Sequence, residues 1–147
     1  MQTSHQNELV QIINQELKNN GFKKNDSKWK MINDNITYIV ILSKSWGDQY
    51  NIYCQFLLKD NNEYIIITEI PIQRYIGDLT NKYFVNFHEP YNRINSYNDE
   101  LKMSLKLFVK SIHNVNDKDK LKHYLLNEIK INSSSFLAKS KLLLNIS

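Results

Sequence analysis

Between Ile36 and Ile70 the apolar and polar positions follow the period of a β-sheet. The first segment places Tyr38, Val40 and Leu42 on one side and Thr37, Ile39 and Ile41 on the other. A strand apolar on both sides is a central one, covered twice. From Tyr50 to Lys59 the alternation is cleaner: Tyr50, Ile52, Cys54, Phe56 and Leu58 face one way, Asn51, Tyr53, Gln55 and Leu57 the other. This strand is half-buried, and its period of two fixes its register. Asp60-Asn61-Asn62 supplies a hairpin turn, because Asn and Asp tolerate left-handed backbone angles, and returns the chain into a strand over Tyr64–Ile67.

Before the sheet, Leu9, Ile13 and Leu17 recur every four residues, flanked by Val10 and Ile12. They predict an amphipathic helix over residues 4–19, capped by Ser4 and closed at Asn19-Asn20-Gly21, with Gly21 in the left-handed closing position. Phe22 then folds back on the helix or the sheet. Trp29 and Met31 alternate with Lys28 and Lys30, which predicts a short strand that turns at Asn33-Asp34-Asn35 into the Ile36 strand and lays Trp29 on the buried face. Lys23, Lys24, Lys28 and Lys30 around Asp26 read as the solvated face of an edge segment.

Lys44 to Gln49 forms a turn in which Gly47 permits a positive φ and Trp46 is available at the tip. After Tyr64–Ile67 the chain runs on through Glu69 to Tyr75 until Gly77-Asp78, and Pro71, which has no amide donor, marks an edge, a bulge or a strand end. Lys82 to His88 predicts a further strand. From Ser96 onward the period becomes helical. Leu101, Leu105, Phe108 and Ile112 form one stripe with Lys102, Lys106 and Lys110 outward, and Asn116 caps a second helix through Leu121, Leu125 and Ile129. Past Ser133-Ser134-Ser135, a third short helix over residues 136–146 uses Leu137, Leu143 and Leu144. The expected fold is α+β: a four- or five-stranded, mostly antiparallel sheet with an N-terminal helix and two or three C-terminal helices packed on it.

At 147 residues the chain forms one domain, 1–147, large enough to bury roughly two thirds of its unfolded surface. Its one cysteine excludes an internal disulfide and a multi-cysteine metal site; Cys54, mid-strand, reads as a small core residue. No apolar run of about 18 residues is present, and the opening MQTSHQNE lacks a secretory signal, so a cytoplasmic location is expected. The net charge of +4 is uneven: residues 101–147 carry nine lysines against three acidic residues.

Catalytic signatures are sparse. His5, His88, His113 and His123 fall on separate elements without metal-ligand spacing, although His113 and His123 flank one helix connection. The three glycines are scattered, so no phosphate loop is formed, and no Gly-x-Ser-x-Gly elbow occurs. Glu69, Arg74, Asp78, His88 and Glu89 are the nearest approach to an acid/base group and read as a salt-bridged rim. No metal or cofactor is called for. Nine Tyr, six Phe and two Trp would suit stacking against single-stranded nucleic acid, but most sit at strand positions that packing explains.

The stretch LKNNGFKKNDSKWKMINDNITYIVILSKSWGDQYNI resembles the opening of a bacterial family catalogued as domain of unknown function 4304. The likeness rests on a helix ending in Gly21-Phe22-Lys23-Lys24, an aromatic near Trp29, a hydrophobic strand, a Lys44-Ser45 turn and an aromatic strand from Tyr50. Arg74 and Gly77 resemble a later basic residue and glycine of that family. The likeness covers about residues 9–80. Ser43 stands where a Gln is common, and Tyr53 and Gln55 where an Asn and a Gly are expected. The family brings no catalytic residues to carry over; related small α+β domains beside bacterial toxins are taken as immunity proteins.

The resemblance therefore implies a non-enzymatic protein-binding module, an immunity-like inhibitor of a bacterial toxin. The contacts expected for it are Trp46, Asp48, Arg74, Tyr75 and Asp78, in loops or at strand ends. The alternatives are nucleic-acid binding through the lysine-rich C-terminal helices, with Lys102, Lys106, Lys110, Lys118, Lys120 and Lys122, or a small enzyme using the Glu69–Glu89 group. An edge strand around Trp29 or Tyr83 would allow pairing into a homo-oligomer.

Overall fold

Turns led by aspartate or asparagine set the architecture. In the computed structural model, which describes residues 4–44, 49–76, 97–132 and 136–146, five strands form an antiparallel meander. They are β1 (Lys23–Asn25), β2 (Lys28–Asn33), β3 (Ile36–Lys44), β4 (Gln49–Asp60) and β5 (Glu63–Ile76), in that spatial order. Three hairpins close on the pairs Asn25–Lys28, Asn33–Ile36 and Asp60–Glu63. Each leaves two residues to turn, and the first of them, Asp26, Asp34 or Asn61, has φ of 57°, 55° or 59°. Asp and Asn enter this left-handed region more easily than other side chains, which is why these positions can dispense with glycine.

β1 is a strand that the hydrophobic pattern does not announce. Its three residues, Lys-Lys-Asn, are all exposed; the turn at Asp26, the ladder to β2 and the Lys24 ammonium 5.9 Å over the Trp29 ring hold them in place. Trp29 therefore lies on an inner strand and is fully buried, not on an edge; the strand expected at 82–88 lies outside the described residues. The two runs predicted either side of Thr68 are a single strand, β5, in register with β4 through two irregularities. Opposite Phe56–Leu57 and Ile52–Tyr53, β5 carries one extra residue each time, Ile67 and Ile72, and both are buried. Pro71 sits beside the second bulge on β5, the last strand of the sheet among the described residues, where its missing donor interrupts no described ladder.

Four helices complete the fold: α1 (Ser4–Lys18), α2 (Tyr97–Ile112), α3 (Lys118–His123), which runs straight into a π-helical turn (Tyr124–Glu128), and α4 (Ala138–Leu144). α1 closes as its sequence predicts: Gly21 has φ 88° and the Phe22 amide donates to the Leu17 carbonyl at 3.3 Å, satisfying a carbonyl that the helix end would otherwise orphan. The π-helical turn ends the same way without glycine. Lys130 takes φ 62° while the Ile131 amide donates to the Leu125 carbonyl at 2.9 Å. The cap of α3 is Asp117, whose side chain accepts from the Lys120 amide, and not Asn116. Leu137 precedes α4 and is exposed instead of packing inward, and Ile129 is only half-buried beyond the π-helical turn.

The helices cover the sheet face that carries Tyr38, Val40, Cys54 and Phe56, and their apolar stripes merge with it into one core. Phe56 is the hub. Its ring meets Tyr38 edge-on at 5.2 Å, stacks with Tyr124 at 5.9 Å and lies 6.5 Å from Phe108, so one β4 side chain ties β3, α2 and the π-helical turn together. Such pairs contribute about 0.5–1.5 kcal/mol each beyond their buried area. Cys54 is fully buried, and burial pushes its thiol well above its ordinary pKa.

Candidate functional site

Two parts of the surface have the shape to receive a partner. The first is the shoulder where α4 meets β5. Counting from the Asp60–Glu63 pair that closes the hairpin, Ile66 occupies a non-hydrogen-bonded position opposite Leu57, so its carbonyl points away from β4. Ser140 donates to that carbonyl at 3.3 Å, which seats α4 against the outer edge of the sheet. Tyr64 and Ile66, two residues apart and so on one face of the strand, are 46% and 45% exposed; Leu137 and Leu142, on and beside a helix about 10 Å long, are 70% and 79% exposed. Tyr64 and Ile66, paired with Lys59 and Leu57, belong to the sheet face opposite the helix layer, and Leu137 and Leu142 reach water at α4, which meets the edge of the same strand.

The second is a pair of adjoining hollows at the far end of α2. One, of about 740 Å³, lies between α2 and α3; Leu107 and Val115 give it apolar walls, while Ser111, Asp119, His123 and Glu128 give it polar ones. The other, of about 500 Å³, lies between the C-terminal ends of α1 and α2 and is lined by Asn20, Lys106, Val109, Lys110, His113 and Asn114. Lys110 and Asn114 belong to both.

The floor of the larger hollow is rigid. Ser111 Oγ donates its one proton to the Phe108 carbonyl at 2.7 Å, so in its 2.8 Å bond to Tyr124 the tyrosine is the donor. Burial raises the Tyr124 pKa. The π-helical turn makes this contact by widening the helix just where Tyr124 enters the core. His123 Nδ1 faces the Asn127 amide nitrogen at 3.1 Å; with that amide as donor, the ring proton sits on Nε2.

The lysines of the C-terminal helices divide sharply. Lys120 Nζ lies 3.0 Å from Asn116 Oδ1 and 3.9 Å from Asp117 Oδ2, and Lys122 Nζ donates to the Asn145 carbonyl at 2.8 Å. Among the described residues, no hydrogen bond or ion pair engages the side chains of Lys106, Lys110 or His113. His113 and His123 line different hollows and do not meet in one, and no group of three His, Cys, Asp or Glu converges on a metal-sized site among the described residues.

Of the contacts expected from sequence, Arg74 and Tyr75 lie near the end of β5, opposite Asn51 and Tyr50. Trp46, Asp48 and Asp78 lie outside the described residues, as do His88 and Glu89. Glu69, the remaining member of the acid/base group, accepts from Gln55 Nε2 at 2.8 Å across the β4–β5 ladder. The shoulder was not anticipated: Leu137 and Leu142 look like core residues until the rotation of α4 about its axis is known. No helix among the described residues is long and apolar enough to cross a membrane.

Comparison with curated proteins and with solved structures returns no match. A family model described as Domain of unknown function (DUF4304) matches residues 13–129, from the middle of α1 to just past the π-helical turn, and the chain belongs to that family.

Proposed function

We propose that this protein is a non-enzymatic binding module whose target is another protein, and that it acts as an immunity-like inhibitor by covering a functional surface of a bacterial toxin. The observation that carries the reading is the orientation of α4, a seven-residue helix that buries Ser140 and leaves Leu142 79% exposed. Large exposed apolar groups that cluster mark contact surfaces more often than scattered ones do. A stable interface covers roughly 800 Å² per partner, so the contact extends past the four apolar residues to Lys59, Lys139 and Lys141. The partner surface that fits is an apolar depression with an acidic rim.

Affinity capture with the unmodified chain, followed by mass spectrometry and a high-salt wash, tests the reading. A stoichiometric protein partner lost on the double substitution Leu137→Ser/Leu142→Ser supports it, provided the thermal midpoint is unchanged. Recovery of the same partner by both forms removes the shoulder. Arg74→Ala and Tyr75→Ala, roughly 26–30 Å further along β5 at about 3.3 Å per residue, then examine the other end of that strand.

A further inference from the structure

Beyond the protein contact, we propose that the two adjoining hollows at the end of α2 form a site for a phosphate monoester with a flat or apolar body. The phosphate lies in the smaller hollow against Lys106, Lys110 and His113, and the body lies in the larger one between Leu107 and Val115.

Lys106, Lys110 and His113 recur at helical spacing along α2 and its continuation, so their side chains share one ridge. Like charges at this spacing repel, and among the described residues no carboxylate lines the smaller hollow, although Lys110 also borders the larger one, where Asp119 and Glu128 lie. Lys120 and Lys122 are held by a carboxylate, an amide oxygen and a carbonyl, whereas Lys106 and Lys110, without such partners among the described residues, share one hollow with His113. The C-terminal ends of α1 and α2 both approach this hollow and together present a negative partial charge of about one. Two permanent lysine charges exceed it, and His113 adds a third when protonated.

Shape and donor chemistry narrow the ligand. A hollow of about 500 Å³ is larger than a phosphate group and joins a second of about 740 Å³, both within the usual range for small-molecule pockets. The second hollow has apolar walls at Leu107 and Val115 and polar ones at Ser111, Asp119, His123 and Glu128; Ser111 is held from behind by the buried Tyr124. Because Lys110 and Asn114 face both spaces, one ligand can span them with its charge at one end. A bare inorganic anion would use only the smaller hollow, and a long polyanion would follow the outer lysines Lys102 and Lys118 instead.

The test is an amide NMR titration of the full chain with adenosine 5′-monophosphate, adenosine and inorganic phosphate as probes. The expected result is a shift pattern confined to Asn20 and residues 106–128, with the monophosphate at least tenfold tighter than either adenosine or phosphate alone. Lys110→Gln should weaken the monophosphate at least tenfold, whereas Lys122→Gln, which removes the same charge from a lysine already engaged, should change it less than twofold. Equal losses in the two variants, equal affinity for adenosine and its monophosphate, or no shift at these amides would overturn the site. Binding of a ten-nucleotide single strand a hundredfold tighter, with shifts along Lys102 and Lys118, would also overturn it in favour of a nucleic-acid surface. Lys110 lies away from the α4–β5 shoulder, so loss of the monophosphate in Lys110→Gln leaves the protein contact intact and the two readings fail separately.

Discussion

The Tyr38 hydroxyl donates to the Val115 carbonyl across 77 residues of sequence. The same carbonyl accepts from Asn33 Nδ2 at 3.2 Å, so side chains of β2 and β3 together hold the link between α2 and α3. This bond fixes the angle at which the two helices flank the larger hollow. Tyr38→Phe should lower stability by about 1–2 kcal/mol, the net value of a buried hydrogen bond whose acceptor keeps one partner. Chemical denaturation of the two forms measures it, and a loss below about 0.5 kcal/mol would show that Asn33 alone secures the link.

Alkaline pH should unfold the protein early. Burial raises Tyr38 and Tyr124 above their ordinary 10.0 and Cys54 above its ordinary 9.0. Each group stays protonated in the folded chain at pH values where the unfolded chain has already released its proton. The sign follows: these groups leave stability untouched below about pH 9, and stability falls as pH rises beyond the unfolded values, by up to about 1.4 kcal/mol per unit for each group. Denaturation midpoints from pH 7 to 11 should show this fall, and Tyr38→Phe should make it shallower.

Gln73 sits opposite Ile52 on β5, fully buried, and neither its amide nitrogen nor its oxygen has a hydrogen-bond partner among the described residues. Gln73→Met keeps the shape and removes two buried polar atoms, so it should raise stability by about 1–2 kcal/mol. A lower thermal midpoint for the variant would show that the amide is satisfied in solution.

Asp117 and Asn116 offer a sharp comparison at neighbouring positions. Asp117 accepts from the Lys120 amide at 2.8 Å, whereas Asn116 accepts only from the mobile end of the Lys120 side chain. Asp117→Ala should therefore cost about 1 kcal/mol, and Asn116→Ala should stay within about 0.5 kcal/mol of the parent. Thermal melts of the two variants decide between the caps.

Period two made β3 and β4 readable because a buried face on each strand leaves a regular trace. β1 left none: Lys-Lys-Asn buries nothing, and its pairing depends on one backbone angle at Asp26. β5 reads as a strand over Tyr64–Ile67 with a separate run from Glu69 to Tyr75, because a bulge restores pairing only through the facing strand, which local sequence does not encode; at Pro71 the bulge is among the readings that the sequence offers. The cap of α3 was displaced by one residue, since Asn116 and Asp117 have equally suitable side chains. The binding surfaces were the least legible. The outward lysines of α2 were visible as a stripe, but which cations stay unopposed depends on Asn145 coming beside Lys122, 23 residues away. Likewise, the exposure of Leu142 follows from how Ser140 meets a strand edge 74 residues earlier.

The meander also bears on how quickly the chain can find its fold. Each strand pairs with the one before it, so the sheet can assemble by successive local closures that cost little loop entropy. The slow event is then the arrival of α2, since Phe108 must reach Phe56 from far along the sequence. Folding rates should respond to changes in that segment far more than to changes in the hairpin turns, as expected where distant contacts set the barrier.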